Sequence, residues 1–412
     1  MTKSSRRLAA VAVAGLAYLV AVTQRTTMGS VALDAADRFG TSAQQLASLA
    51  VLQLIFYAGM QIPVGIMLDR FGSRRVLTAG AILMAAGQFL VGVAPSLEFA
   101  VLGRILVGIG DACTFISMMR LANSWYTGKF ASQLQQWLAT IGQSGQILSA
   151  IPFALLLHAS GWVPAFVSAA AVSILTAALI WLIAKENPAT TSGALVPFSV
   201  VLSNLRKNLR VPVTWLAFFT HFSTQATGTT FALLWGVPFM VSALGLARAE
   251  AGGFLTLFVV TNAACGPLIG LFCARFPKYR QLFTLTLVSA IVFGWLTLVL
   301  FPGQTPIWLL AVVVLLIGVG GPASMIAFDY SKERFPPEEL GVTNGLINVG
   351  GFLASLMMMW LIGFCLDTLG GANVYSLDNF RVAFALQLLV SLVGIAGLLL
   401  SGRALRNKSR LF

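Results

Sequence analysis

Gly65-Ile66-Met67-Leu68-Asp69-Arg70-Phe71-Gly72-Ser73-Arg74-Arg75 is a short charged turn set between two apolar runs. A shift of 205 residues lays it on Gly270-Leu271-Phe272-Cys273-Ala274-Arg275-Phe276-Pro277-Lys278-Tyr279-Arg280. Gly65, Arg70, Phe71 and Arg75 then coincide with Gly270, Arg275, Phe276 and Arg280. Farther along, Gly108-x-Gly110 returns as Gly318-x-Gly320 at an offset of 210. Similarity between two halves of a chain is the mark of a duplicated bundle, and paired repeats suit alternating access across a membrane.

Outward from these turns the chain is apolar. Of 412 residues, 58% are hydrophobic and 9% charged, with mean hydropathy +0.88. Soluble domains carry about 25% charged residues, so composition excludes a soluble, disordered or collagen-like chain. A helix needs roughly 20 apolar residues to cross about 30 Å of hydrocarbon. About twelve such runs occur: 8–33, 44–67, 76–95, 98–121, 132–157 and 162–184, then 211–240, 250–273, 280–301, 306–329, 341–366 and 381–402. They are too long for barrel strands and lack alternation. The expected fold is an all-α membrane protein of 12 transmembrane helices, a 6+6 repeat. An N-terminal six-helix bundle covers 1–184, a cytoplasmic linker 185–210, and a C-terminal six-helix bundle 211–412. The linker carries Pro188, Pro197 and the basic Arg206, Lys207 and Arg210, and reads as an amphipathic piece at the membrane surface.

The net charge of +13 comes from 26 Lys+Arg against 13 Asp+Glu. With the N-terminus inside, 21 of the 26 fall on cytoplasmic segments, leaving Arg25, Arg38, Arg104, Arg248 and Arg381. That bias places both termini in the cytoplasm of a cell-membrane protein, with the lipid bilayer rather than nucleic acid as partner of the charge. Lys3, Arg6 and Arg7 before Leu8–Val22 look like a secretory signal, but Thr23-Gln24-Arg25-Thr26-Thr27 is a poor cleavage site, so a retained first helix is expected. Cys113, Cys265, Cys273 and Cys365 lie in apolar stretches without metal-ligand spacing and read as buried small hydrophobes. No catalytic, metal or cofactor site is expected, since metal-ligand clusters, nucleophile elbows and nucleotide loops are missing.

The stretch from Gly65 to Arg75 resembles the signature loop between the second and third helices of the major facilitator superfamily. Arg104-x-x-x-Gly108-x-Gly110 resembles that superfamily's second motif. Gln24-Arg25-Thr26…Asp34…Arg38-Phe39-Gly40 with Tyr57…Gln61-Ile62-Pro63-x-Gly65 is similar to its anion:cation symporter branch. The resemblance implies a central cavity lined by the first, fourth, seventh and tenth helices, and a first-helix arginine that binds the anionic group of the substrate. It also implies a cytoplasmic gate. Gly65 and Gly72 permit close approach and a tight turn, while Asp69 can pair with Arg70, Arg74 and Arg75 at the rim. Ala274 stands where Asp69 does in the first copy, so the second gate should be weaker.

Ionisable groups in the bilayer are costly and mark function by default. Leu8–Val22 is too short to span, so the first helix should continue through Gln24 and Arg25, with Tyr18 and Arg25 on one face. Arg25 is the candidate for the substrate anion, with Tyr18 and Gln24 as further substrate contacts, or else it snorkels to the outer headgroups. Asp111 lies near the midplane of the fourth helix as a proton carrier or the partner of Arg25 or Arg104. Arg104 is expected as a structural charge joining helices. His221, in a polar stripe with Thr220, Thr224, Gln225 and Thr227, is a second candidate for substrate and proton, with Gln225 a further substrate contact and a hydrogen-bonded packing histidine the equal alternative. Gln143 and Gln146 in the fifth helix could add hydrogen bonds to substrate, or serve as interhelical glue.

These residues together describe a monomeric secondary active transporter that moves a small anionic organic solute with H+ by alternating access. A drug/proton antiporter of the same fold is the alternative, although Gly142–Pro152 holds glutamines and a late proline rather than a Gly-Pro-rich motif. A non-transporting membrane sensor is the second alternative, and no soluble signalling domain supports it.

Overall fold

A computed structural model describes residues 3–40, 43–188, 197–370 and 376–409. Linker residues 189–196 and the inner charge Arg410 lie outside the described residues. Among the described residues there is no strand, and twelve helices are long and apolar enough to cross a bilayer. They are α1 (Ser5–Ser30), α2 (Val51–Phe71), α3 (Ser73–Val93), α4 (Leu97–Trp125), α5 (Gly128–Ser160), α6 (Trp162–Ile183), α7 (Pro212–Ala243), α8 (Ala249–Arg275), α9 (Pro277–Leu300), α10 (Ile307–Arg334), α11 (Pro337–Leu369) and α12 (Leu377–Asn407). As the length argument requires, α1 continues without a break through Gln24 and Arg25. A shorter helix, Phe198–Asn208, carries the basic end of the linker, with Val201 buried and Arg206 and Lys207 exposed.

The chain divides into two compact units, Met1–Lys207 with Phe335–Leu346, and Asn208–Arg334 with Ile347–Phe412. In the first unit, α3 and α4 touch backbone to backbone through Gly80 and Gly87 against Gly110 and Gly103. A methyl group on Gly80 would lie 2.6 Å from the Gly110 carbonyl oxygen, and one on Gly87 the same distance from that of Gly103. Small residues at this seven-residue spacing replace side-chain volume with backbone contact, which is how apolar helices associate where lipid removes the hydrophobic drive.

Gly108 carries the repeat into the packing. A methyl group there would lie 2.7 Å from the Gln53 carbonyl oxygen of α2, and one on Gly318 would lie 3.2 Å from the Phe258 carbonyl oxygen of α8. The second unit fills its interior with rings: Phe384 stacks edge-on against Phe239 and Trp295, both centroids at 4.9 Å. Two spanning helices are locally underwound to wider, π-helical turns. Pro152, with no N–H to donate, sits in the π-helical turn Ser149–Phe153 of α5, and Gly236–Pro238 of α7 is flanked by Phe231–Trp235 and Phe239–Ala243.

Candidate substrate and proton site

The register of α1 on α4 builds the site. Tyr18 and Arg25 stand two turns apart on α1, as do Arg104 and Asp111 on α4, so each pair shares a face. At one level Arg104 reaches α1's backbone; at the other Arg25 reaches Asp111. The Arg25–Asp111 pair is bidentate, with Nε to Oδ2 at 2.6 Å and Nη2 to Oδ1 at 2.9 Å. The Asp111 side chain is 1% exposed and the Arg25 side chain 17%, so what exposure the pair keeps lies on the arginine. Arg25 therefore does not snorkel to the outer surface. The Tyr57 ring of α2 lies 5.0 Å from its guanidinium carbon, a cation–π contact on the guanidinium's face.

A polar chain leads away from the pair. Tyr18 lies within interaction range of both charges and packs against Phe115 at 5.3 Å. Its hydroxyl oxygen accepts from Gln143 Nε2 at 3.1 Å, and Gln143 Oε1 accepts from Gln146 Nε2 at 2.6 Å. Gly142 admits the Tyr18 ring, which a side chain at that position would strike. One turn on, the Thr26 and Ser149 hydroxyls meet at 2.6 Å.

Arg104 is buried and holds α1 in place. It donates to the Arg25 carbonyl at 2.6 Å, to the Gln24 carbonyl and Thr27 Oγ1 at 3.3 Å, and to Gln53 Oε1. Gln88 of α3 donates to the same Gln24 carbonyl and Thr27 hydroxyl. Gln24 itself faces α6, giving its amide to the Ala169 carbonyl at 2.7 Å and to Ser173 Oγ at 2.9 Å. Gln24, expected beside the substrate, is thus turned to α6, since one residue along a helix rotates the side chain by 100° from Arg25.

His221 is buried in the second unit, where its Nδ1 accepts from the Gly351 amide at 3.1 Å and its ring meets Phe328 and Phe352. That is the surrounding of a packing histidine. Gln225 is half-buried one turn away.

At the turn between α2 and α3, Asp69 is held differently from the rim pairing expected. Its Oδ1 accepts from Arg120 at 2.5 Å and from the Gly341 amide at 2.8 Å, and its Oδ2 from the Val342 amide at 2.7 Å. Arg70 and Arg74 instead lie over the Phe71 and Trp181 rings, at 5.3 and 4.1 Å, and Arg75 is exposed. The buried carboxylate pairs with the cation that reaches it from the neighbouring helix, while Arg70 and Arg74 are half-buried against rings and only Arg75 is exposed. Gly72 takes φ 79° at the turn, and the Ser73 amide donates to Glu186, which also faces Arg120 at 3.5 Å. Gly65 meets the Gly341 carbonyl, where a methyl would lie at 2.6 Å. In the second copy the signs are reversed. Arg280 is buried on the turn and pairs with Glu333 at 2.7 Å and Asp329 at 3.9 Å, both on α10, so the copy lacking Asp69's counterpart is tied by other charges.

Sequence reasoning missed Tyr57, Gln53, Arg120 and Glu186. Arg120 counted only as an inner positive charge, although its place inside the fourth apolar run marked it as a cation needing a partner.

Comparison with known proteins adds a family. A family model described as Major Facilitator Superfamily matches residues 14–236 and 217–410. The probable galactarate/D-glucarate transporter GudP of Bacillus subtilis is 25% identical over 349 residues, 76% of this chain and 75% of that one. The lincomycin resistance protein of Streptomyces lincolnensis is 31% identical over 200 residues, 47% of this chain and 41% of its own. Among solved structures, the proton:xylose symporter XylE bound to 6-bromo-6-deoxy-D-glucose shares the fold, with TM-score 0.70, 15% identity and 95% of each chain covered.

Proposed function

Because the chain belongs to the major facilitator superfamily, and is a multi-pass membrane transporter rather than an enzyme, we propose that it carries a small organic anion with a proton across the cell membrane by alternating access. In this reading the six-helix bundles 1–184 and 211–412 move as the two working parts, with 185–210 as their cytoplasmic linker and both termini inside.

The observation that carries the reading is the Arg25–Asp111 pair. An incoming carboxylate competes for the guanidinium's open side and displaces Asp111. Leaving a buried charge unpaired costs about 3–5 kcal/mol, so the displaced Asp111 is stable once it takes a proton. Binding of anion and of proton are thereby linked at one arginine. Tyr18, Gln143 and Gln146 offer hydrogen bonds to the rest of the solute. The likeness to a probable transporter of sugar acids supports an organic anion as cargo.

Reconstituted vesicles test it. Arg25→Lys keeps the charge but loses the planar fork, and affinity should fall about tenfold or more. Asp111→Asn should still exchange solute in counterflow while failing to concentrate it under an imposed pH gradient. Normal accumulation by Asp111→Asn would remove the proton from this site. Proton-driven export of an amphipathic compound is a second reading, favoured by the likeness to the lincomycin resistance protein. Lincomycin uptake into inverted vesicles, surviving Arg25→Ala, would select it.

A further inference from the structure

The charges within the spanning helices can be balanced one by one. Arg25 and Asp111 cancel. Arg104, buried beside them at 1% exposure, keeps its positive charge but gives its Nη groups to the Gln24 and Arg25 carbonyls, Thr27 and Gln53, and its burial keeps it out of a solute's reach. Arg120 is held by Asp69 and Glu186. In the second unit Arg275, Lys278, Arg280, Lys332, Arg334 and Arg381 all lie in terminal turns of their helices. Arg280 is tied to Glu333, Lys332 to Asp329, and Arg381 to Asp378 and the Phe301 and Gly303 carbonyls. Away from the helix ends, the one ionisable nitrogen base among that unit's described residues is His221, which accepts the Gly351 amide. The ionisable groups that interact with Asp111 are Arg25 and Tyr18 from α1 and Arg104 and Cys113 from its own helix, and the Tyr57 ring of α2 lies 5.0 Å from the Arg25 guanidinium carbon.

One fixed, partly open cation against one buried carboxylate sets the charge of what can be carried. We infer that the solute is a monoanion, a single carboxylate or sulfonate on an uncharged hydroxylated body, carried with one proton so that the transport cycle moves no net charge. This rests on the proton–anion symport reading above.

The balance is explicit. Empty, the site holds Arg25 positive and Asp111 negative. Loaded, the solute's negative group replaces Asp111 at Arg25, and a proton drawn from the outer water neutralises Asp111. The net charge is the same in both states, and re-pairing of Asp111 with Arg25 releases the proton with the solute inside. A second negative group on the solute would find beside Arg25 only Arg104, which is 1% exposed and already committed to α1 and Gln53, and would sit uncompensated in a low-dielectric interior. The hydroxyls of a sugar-acid body, by contrast, match Tyr18, Gln143 and Gln146. The chain thus departs from its relative GudP, whose named solutes are dicarboxylates.

D-gluconate and D-glucarate, equal in carbon number and different by one carboxylate, are the probes, with the whole protein in proteoliposomes. Under an acid-outside gradient, gluconate should accumulate about tenfold per pH unit, the one-proton limit. A potassium–valinomycin potential of either sign should leave that level unchanged. Glucarate should compete with gluconate at least about tenfold more weakly, by the loss of one compensated charge. A gluconate level that rises about fiftyfold per 100 mV, inside negative, shows a net charge moving and overturns the inference. Glucarate accumulating as well as gluconate overturns the monoanion requirement. Absence of any pH-driven uptake of either acid sinks the symport reading itself, a different failure from the other two.

Discussion

Arg104 performs a task that a hydrophobic residue, or even a lysine, would fail. Its planar fork spans two consecutive carbonyls of α1 and a side chain of α2, fixing the turn that presents Arg25. Arg104→Lys leaves several of those acceptors empty, so about 2–3 kcal/mol of stability should be lost. Thermal unfolding in detergent checks this, and the wild-type melting temperature retained in the variant would refute the anchoring role. At this scale the sequence was partly legible. Arg25 and Asp111 stand out because a charge in an apolar run must have a reason. Gln24 looked equally eligible from its place beside Arg25, yet its direction depends on where α6 lies. The rim arginines were misjudged for the same cause: Asp69 chose Arg120 from another helix over three arginines within its own turn.

At the scale of elements, the glycines of α3 and α4 are the sharpest constraint. Gly80→Leu would force a side chain into the Gly110 carbonyl and should cost about 3 kcal/mol or more by overpacking. Gly29→Ala in α1, where the added methyl meets nothing, is the matched control and should hold or slightly raise stability. The turn between α2 and α3 gives another prediction. Asp69→Asn and Arg120→Ala each remove the same ion pair, so each should slow turnover with solute affinity nearly intact. The double variant should be no slower than the worse single one. Initial rates and binding constants measured on all three variants decide it, and additive losses would show the two residues acting separately. The inverted pair in the second copy was hidden from sequence comparison, because matching identical letters cannot register an exchange of acid for base between turn and helix.

For the whole molecule, the distribution of Lys and Arg argues the orientation. If basic loops are held on the cytoplasmic side, the termini and linker lie inside. In a background lacking the four native cysteines, Ser192→Cys should resist a membrane-impermeant maleimide applied to intact cells and react once the cells are opened. Labelling from outside would reverse the assignment. Duplication was readable at this level too. Gly108 and Gly318, paired by an offset of 210, rest on the carbonyls of Gln53 and Phe258, themselves 205 apart.

The sequence by itself determined the twelve spans and the repeat, because apolar length and loop charge are properties of local segments that lipid reads directly. It also determined that Arg25 and Asp111 need explanation. Tertiary structure alone decided the partners: Asp111 rather than lipid headgroups for Arg25, Arg120 rather than Arg70 for Asp69, and Gly351 and two phenylalanine rings for His221. A side chain's partner is fixed by the rotation and register of a neighbouring helix, and those follow from glycine contacts far along the chain rather than from the residue's own surroundings in sequence.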